Sequence, residues 1–120
     1  MKILIADDSR VMRQIVIRTL RQAGFDDHEI VEAEDGADAL AKVGSEKPDL
    51  VLSDWNMPNM TGIECLQALR SSGSSVPFGF VTSEGSPEMR EKAANAGALF
   101  LIAKPFNEDT FQEALSGVIA

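Results

Sequence analysis

Asp49–Pro58 reads DLVLSDWNMP, and the fold turns on how that stretch is read. Leu50-Val51-Leu52 is an unbroken apolar run that stops at Ser53 and Asp54, and Trp55–Pro58 breaks the pattern at once. A short apolar run bounded by turn residues reads as a strand buried on both faces, as the interior of a parallel sheet requires. Asp54 then stands at the carboxyl end of that strand, the edge of an open parallel sheet where ligands bind. Asp also starts turns for purely local reasons. This stretch alone leaves both readings open, and the other strand ends decide between them.

Upstream, Lys2–Ala6 is a second apolar run, ended by Asp7-Asp8-Ser9. Val11, Met12, Ile15, Val16 and Leu20 then fall on one helical face, with Asp8 or Ser9 as the N-cap and Gly24 as the stop. His28–Glu34 alternates and predicts a strand nearer the sheet edge, with His28 a solvated loop residue. Asp35-Gly36 is a turn, and Ala37–Val43 predicts a short helix ended by Gly44.

Downstream, Asn59–Gly62 is a loop, and Ile63, Leu66 and Leu69 form a helical stripe. Val76–Val81 predicts a strand ending at Thr82. Ser86 caps a helix with Pro87 in its first position, running to Ala96 and stopping at Gly97. Ala98–Ala103 predicts the last strand, before Lys104-Pro105, and Glu108 to Ile119 the last helix. Strand and helix alternate five times. That order specifies an α/β fold, a five-stranded parallel sheet with helices on both faces, and one domain over residues 1–120.

Composition narrows the function. Nineteen acids against eleven bases leave a net charge of −8, which argues against direct contact with nucleic acid or anionic membrane. The chain has no apolar run of the ~18 residues a membrane span needs. Its first residues lack the apolar core of a signal peptide. The single cysteine, Cys65, excludes an internal disulfide, fits a reducing cytoplasm and is expected to pack on a helix.

The strand ends carry the chemistry. The first supplies Asp7 and Asp8, the third Asp54, the fourth Thr82 and the fifth Lys104. In a parallel sheet these lie along one edge. Three carboxylates at close range repel one another. Lys104 offsets one charge, and a divalent cation would offset the other two. Hard oxygen ligands suit Mg²⁺, which keeps open positions for a phosphate oxygen. Such a group is suited to phosphoryl transfer, with an aspartate as nucleophile.

Asp7-Asp8, Asp54, Thr82 and Lys104-Pro105 together resemble the receiver domain of two-component response regulators across essentially the whole chain. DWNMPNMTG (Asp54–Gly62) and TSEG (Thr82–Gly85) resemble the chemotaxis members most. The resemblance implies the flavodoxin-like strand order 2-1-3-4-5. It implies Asp54 as phosphoacceptor for a histidine kinase. Asp8, Asp54 and the Asn56 main-chain carbonyl become direct Mg²⁺ ligands, and Asp7 acts through a metal-bound water. Lys104 and Thr82 contact the phosphoryl group, and Pro105 is a cis proline. Asn56 and Glu84 tune loss of the phosphoryl group.

The expected protein is a stand-alone cytoplasmic monomer with no output domain. It is a regulator with intrinsic self-phosphorylation and autodephosphorylation rather than a conventional enzyme. Its signal would leave through the fourth helix, fifth strand and fifth helix to a downstream protein such as the flagellar motor switch, with a phosphatase as a further partner. The alternatives are a phosphorelay intermediate or phosphate sink and, from other classes, an aspartyl-phosphate hydrolase or a flavin carrier. A hydrolase of that kind places a second Asp two residues after the nucleophile, where this chain has Asn56. A flavin carrier needs a phosphate loop where this chain has Asp7-Asp8. The chain departs from the family at the switch position, Leu101, where an aromatic is usual. Gly79 inside the fourth strand is unusual, and the last helix carries Glu108, Asp109 and Glu113 but no lysine.

Overall fold

Leu50–Ser53 (β3) and Lys2–Ala6 (β1) pair in parallel within the sheet, from Ile3 opposite Leu50 to Ala6 opposite Ser53. The structure, a computed structural model, describes residues 1–118. Around that pair stand Glu29–Ala33 (β2), Phe78–Thr82 (β4) and Phe100–Ala103 (β5), all parallel, in the order β2-β1-β3-β4-β5. The interior strands β3 and β4 are buried along their whole length, whereas β2 at one edge is mostly half-exposed.

Side-chain alternation along the strands sorts the core into two layers. Ile3, Ile5, Leu50 and Leu52 meet Val16 and Leu20 of Arg10–Gln22 (α1) and Phe111 and Leu115 of Glu108–Leu115 (α5). Leu4, Val51, Phe78 and Phe80 face the other way, onto Ala39 of Gly36–Glu46 (α2), Ile63 and Leu66 of Gly62–Ser71 (α3) and Ala93 of Pro87–Ala96 (α4). The four crossover helices and α5 thus cover both faces of the sheet. Cys65 lies wholly buried on α3, where burial pushes its thiol up to about 11.

Local signals fix most helix ends. Ser9 caps α1 by accepting from the Met12 N–H, and Ser86 caps α4 ahead of Pro87. Thr61 and Glu64 close a reciprocal capping box at the start of α3. One stop differs from the sequence reading: α2 runs through Gly44 to Glu46. Gly44 is exposed and costs a helix only about 1 kcal/mol. The helix ends where Lys47 turns left-handed (φ 51°) ahead of Pro48.

The strands are also shorter than their apolar runs. β4 begins at Phe78, since Pro77 has no N–H for the ladder, and β5 begins at Phe100. α5 ends at Leu115, and Ile119 lies outside the described residues. His28 is half-buried rather than solvated, with Nδ1 3.2 Å from the N-terminal amine.

Gly79 has a packing explanation. It pairs with Phe100 on β5, and the Phe100 ring lies over it, so that a Cβ at Gly79 would stand 2.2 Å from two ring carbons. Phe100 therefore packs on the α1/α5 face and Leu101 on the α3/α4 face. The adjacent aromatic does not replace the missing one at Leu101. Gly79→Ala is expected to destabilise the protein by about 1–3 kcal/mol in urea unfolding, as overpacking does. In a Phe100→Ala background the same change should cost far less, and an equal cost in both backgrounds would refute this packing account.

Candidate functional site

The sheet ladder delivers the acids to one place. The Asp54 N–H donates to the Ala6 carbonyl (2.8 Å) and the Asp7 N–H to the Ala33 carbonyl (3.1 Å), so the last residues of β1, β2 and β3 are laced together. On the other side the Lys104 N–H donates to the Thr82 carbonyl (2.8 Å), joining the ends of β4 and β5. Carboxylate oxygens of Asp7, Asp8 and Asp54 come within 4.8 Å of one another. Lys104 Nζ lies 3.3 Å from Asp7 Oδ2 and 3.5 Å from Asp54 Oδ2.

The three acids differ in exposure. Asp7 is 4% exposed, Asp54 is partly exposed and Asp8 is open to solvent. Burial holds the Asp7 carboxyl above the usual carboxylate range. The Ser9 N–H (2.9 Å to Oδ1) and the Lys104 charge pull it back down, while the Asp54 charge pushes it up. Asp54 Oδ1 accepts the Trp55 N–H at 2.8 Å, which leaves Oδ2 turned to Lys104. Hard carboxylate oxygens gathered at this spacing fit a divalent cation such as Mg²⁺.

The remaining residues named from the sequence surround this group. Thr82 is fully buried at the end of β4, and its hydroxyl oxygen accepts the Glu84 N–H at 3.4 Å. Asn56 and Glu84 meet directly, with Asn56 Nδ2 3.4 Å from Glu84 Oε1. The Lys104-Pro105 peptide is cis. Leu101 is half-buried against the layer that holds Phe80 and Ala93, away from the acids.

Arg13 was not legible as a site residue. Its Nη1 donates to the Asp7 carbonyl at 2.7 Å and its Nε pairs with Glu32 Oε1 at 2.9 Å, which anchors the acidic turn to β2. In sequence it reads only as a polar position of an amphipathic helix, and the turn it holds lies six residues away.

Residues 3–116 match the family model described as the response regulator receiver domain. The chemotaxis protein CheY of Pseudomonas aeruginosa is 38% identical over 120 residues, covering 98% of this chain and 95% of that one. CheY-3 of Vibrio cholerae is 40% identical over 120 residues, covering 98% and 91%. A solved structure of Vibrio cholerae CheY4 superposes with a TM-score of 0.84 at 39% identity over 98% of both chains. The receiver domain of a Francisella response regulator superposes with a TM-score of 0.86 at 26% identity, over 98% and 94%. The chain belongs to the response-regulator receiver family. CheY-like members of that family are regulators rather than conventional enzymes. Among the described residues no helix is long and apolar enough to cross a membrane.

The raised Asp7 carboxyl has a consequence for stability. The native state holds the Asp7 proton more tightly than the unfolded chain does. The contribution of Asp7 is therefore most favourable at low pH and falls as pH rises from the ordinary carboxylate range through the raised value. Asp7→Asn keeps an oxygen for the Ser9 N–H and removes the charge. In EDTA its urea midpoint should exceed the parent's at pH 7, with the gap closing as pH falls below the carboxylate range. A less stable variant at pH 7 would contradict this electrostatic reading.

Proposed function

We propose that this chain is a phosphoacceptor of two-component signalling that takes a phosphoryl group onto Asp54 in the presence of Mg²⁺. One observation carries the reading: a single ammonium, Lys104, stands within 3.5 Å of the acids of both β1 and β3, with the exposed Asp8 beside them. Asp8, Asp54 and the Asn56 carbonyl would hold the metal, with Asp7 acting on it indirectly. When bound, the metal would supply charge neutralisation at the phosphoryl oxygens.

The step balances simply. An Asp54 carboxylate oxygen attacks phosphorus and the P–N bond of a phosphohistidine donor breaks. The imidazole leaves with the electron pair and takes up a proton. Lys104 neutralises phosphoryl oxygens, and Thr82 leaves the Glu84 N–H to hydrogen-bond the new group.

The energetics suffice for signalling. Moving a population from 1:99 to 99:1 takes about 5.5 kcal/mol. Charge-assisted hydrogen bonds contribute about 1.5–3 kcal/mol each, so new ones from Thr82 and Lys104 reach that range. The response spreads along α4, β5 and α5. There Arg90 already ties the β4–α4 loop to β5, donating to the Gly85 carbonyl (3.2 Å) and the Leu101 carbonyl (3.1 Å). Leu101 serves as the switch position with an aliphatic side chain.

Similarity to chemotaxis regulators supports a role in chemotaxis or flagellar motor control, with a histidine kinase as donor, a motor-switch protein as recipient and a phosphatase as a further partner. A second reading, a phosphorelay intermediate or phosphate sink, is favoured by one observation. Glu108, Asp109 and Glu113 all stand exposed on α5, which carries no basic residue. Pull-down with and without a phosphoryl mimic separates the two by the partner retained.

Incubation with acetyl phosphate and Mg²⁺ should add one phosphoryl group, absent from Asp54→Asn and from samples in EDTA. Labelling that persists in Asp54→Asn would sink the assignment. The facing Asn56 and Glu84 side chains order the attacking water. Asn56→Met with Glu84→Lys should therefore lengthen the phosphoryl lifetime about tenfold, a loss of about 1.4 kcal/mol of transition-state stabilisation. An unchanged decay rate would remove that role.

A further inference from the structure

The turn that follows Asp54 is only partly held by its own backbone. Between Trp55 and Gly62 it has two bonds of its own, from the Gly62 N–H to the Trp55 carbonyl (2.8 Å) at the base and from the Met60 N–H to the Pro58 carbonyl (2.7 Å). Its outer half rests on a different turn, Asp35-Gly36 at the start of α2. Asn59 stands in the left-handed region (φ 66°), and its side-chain amide donates to Asp35 Oδ2 at 2.8 Å. The Gly36 N–H donates to the Met60 carbonyl at 3.0 Å. The approach is so close that a Cβ at Gly36 would lie 2.2 Å from that carbonyl oxygen.

Asp35 is 9% exposed and uses both oxygens. Oδ1 caps α2 by accepting the Asp38 N–H (2.7 Å), and Oδ2 holds Asn59. The Asp38 N–H first and the Asn59 amide second keep its carboxyl below the usual range, so it stays charged and bonded at neutral pH. Asn56, Met57 and Pro58 are thereby strung between two fixed points, the end of β3 and the Asp35-Gly36 turn. Neither Asp35 nor Asn59 is among the three acids that gather at the site.

We infer that Asp35 and Asn59 are positioning residues for the metal site: their carboxylate–amide brace between the β2–α2 and β3–α3 turns sets where the Asn56 carbonyl stands, and so sets Mg²⁺ affinity. This rests on the proposed function, in which that carbonyl is a metal ligand. Groups that orient ligands without touching the metal commonly change its affinity by about 10–100-fold when removed. The brace is longer and lies one turn away, so an effect at the low end of that range follows.

The test separates positioning from capping. Asp35→Ser keeps an N-cap hydroxyl for α2 but is too short to reach Asn59. Asn59→Gly removes the amide while keeping the left-handed backbone accessible. Mg²⁺ alone is titrated into each purified full-length variant, followed by fluorescence of Trp55, the only tryptophan, which adjoins Asp54, and by calorimetry. Urea unfolding in EDTA is measured in parallel.

Each single variant should bind Mg²⁺ about tenfold more weakly, with the double variant no weaker than the worse single. Parent-like Mg²⁺ affinity in both singles, whatever their stability, overturns the inference and leaves the proposed function standing. Losses that multiply in the double variant also overturn it, since the two residues would then act separately. A parent protein that binds no Mg²⁺ overturns the proposed function and the inference together.

Discussion

Like charge held at close range is the constraint on which this molecule is built. Asp7, Asp8 and Asp54 bring carboxylate oxygens within 4.8 Å of one another, and Lys104 answers them with one ammonium. Left to itself such a group would spread apart. It is held by the parallel ladder, whose bonds from Asp7 to Ala33 and from Asp54 to Ala6 fix the backbone on either side of β1. Arg13 adds a third tether at the Asp7 carbonyl. The core around β1 and β3 supplies the rigidity that this crowding needs. The crowding, in turn, suits the sheet edge to a divalent cation.

The same edge ties the site to the ends of β4 and β5. Lys104 follows β5 directly and Thr82 ends β4, and the Lys104 N–H joins the two strands through the Thr82 carbonyl. The Thr82 hydroxyl in turn accepts the Glu84 N–H of the loop that leads into α4. Arg90 spans that loop and the backbone of β5. Leu101 packs on the α3/α4 layer, and Phe100 lies over Gly79 on the opposite one, so the aromatic of β5 serves packing.

Much of this was legible in the chain. The uninterrupted runs Lys2–Ala6 and Leu50–Leu52 marked buried parallel strands, and each run ended in a residue that the sheet edge then collected. Strand order needed the family resemblance, because alternation alone fits several windings. What could not be read was contact between residues remote in sequence. Gly44 looked like a helix stop, yet the helix passes through it to a left-handed Lys47. Gly79 looked like a gap until the Phe100 ring was placed over it. The Asp35–Asn59 brace joins residues 24 apart, each of which reads in sequence as an ordinary turn former.

The central claim is that one group of residues holds both the cation and the phosphoryl group. The most direct measurement is a crystal structure of the protein with Mg²⁺ and beryllofluoride as phosphoryl mimic. The account predicts the mimic bonded to an Asp54 carboxylate oxygen, with Lys104 Nζ and Thr82 Oγ1 in hydrogen-bond contact with it. Mg²⁺ should be shared by Asp8, Asp54 and the Asn56 carbonyl. A mimic on any other residue, or a metal bound without Asp54, would contradict it.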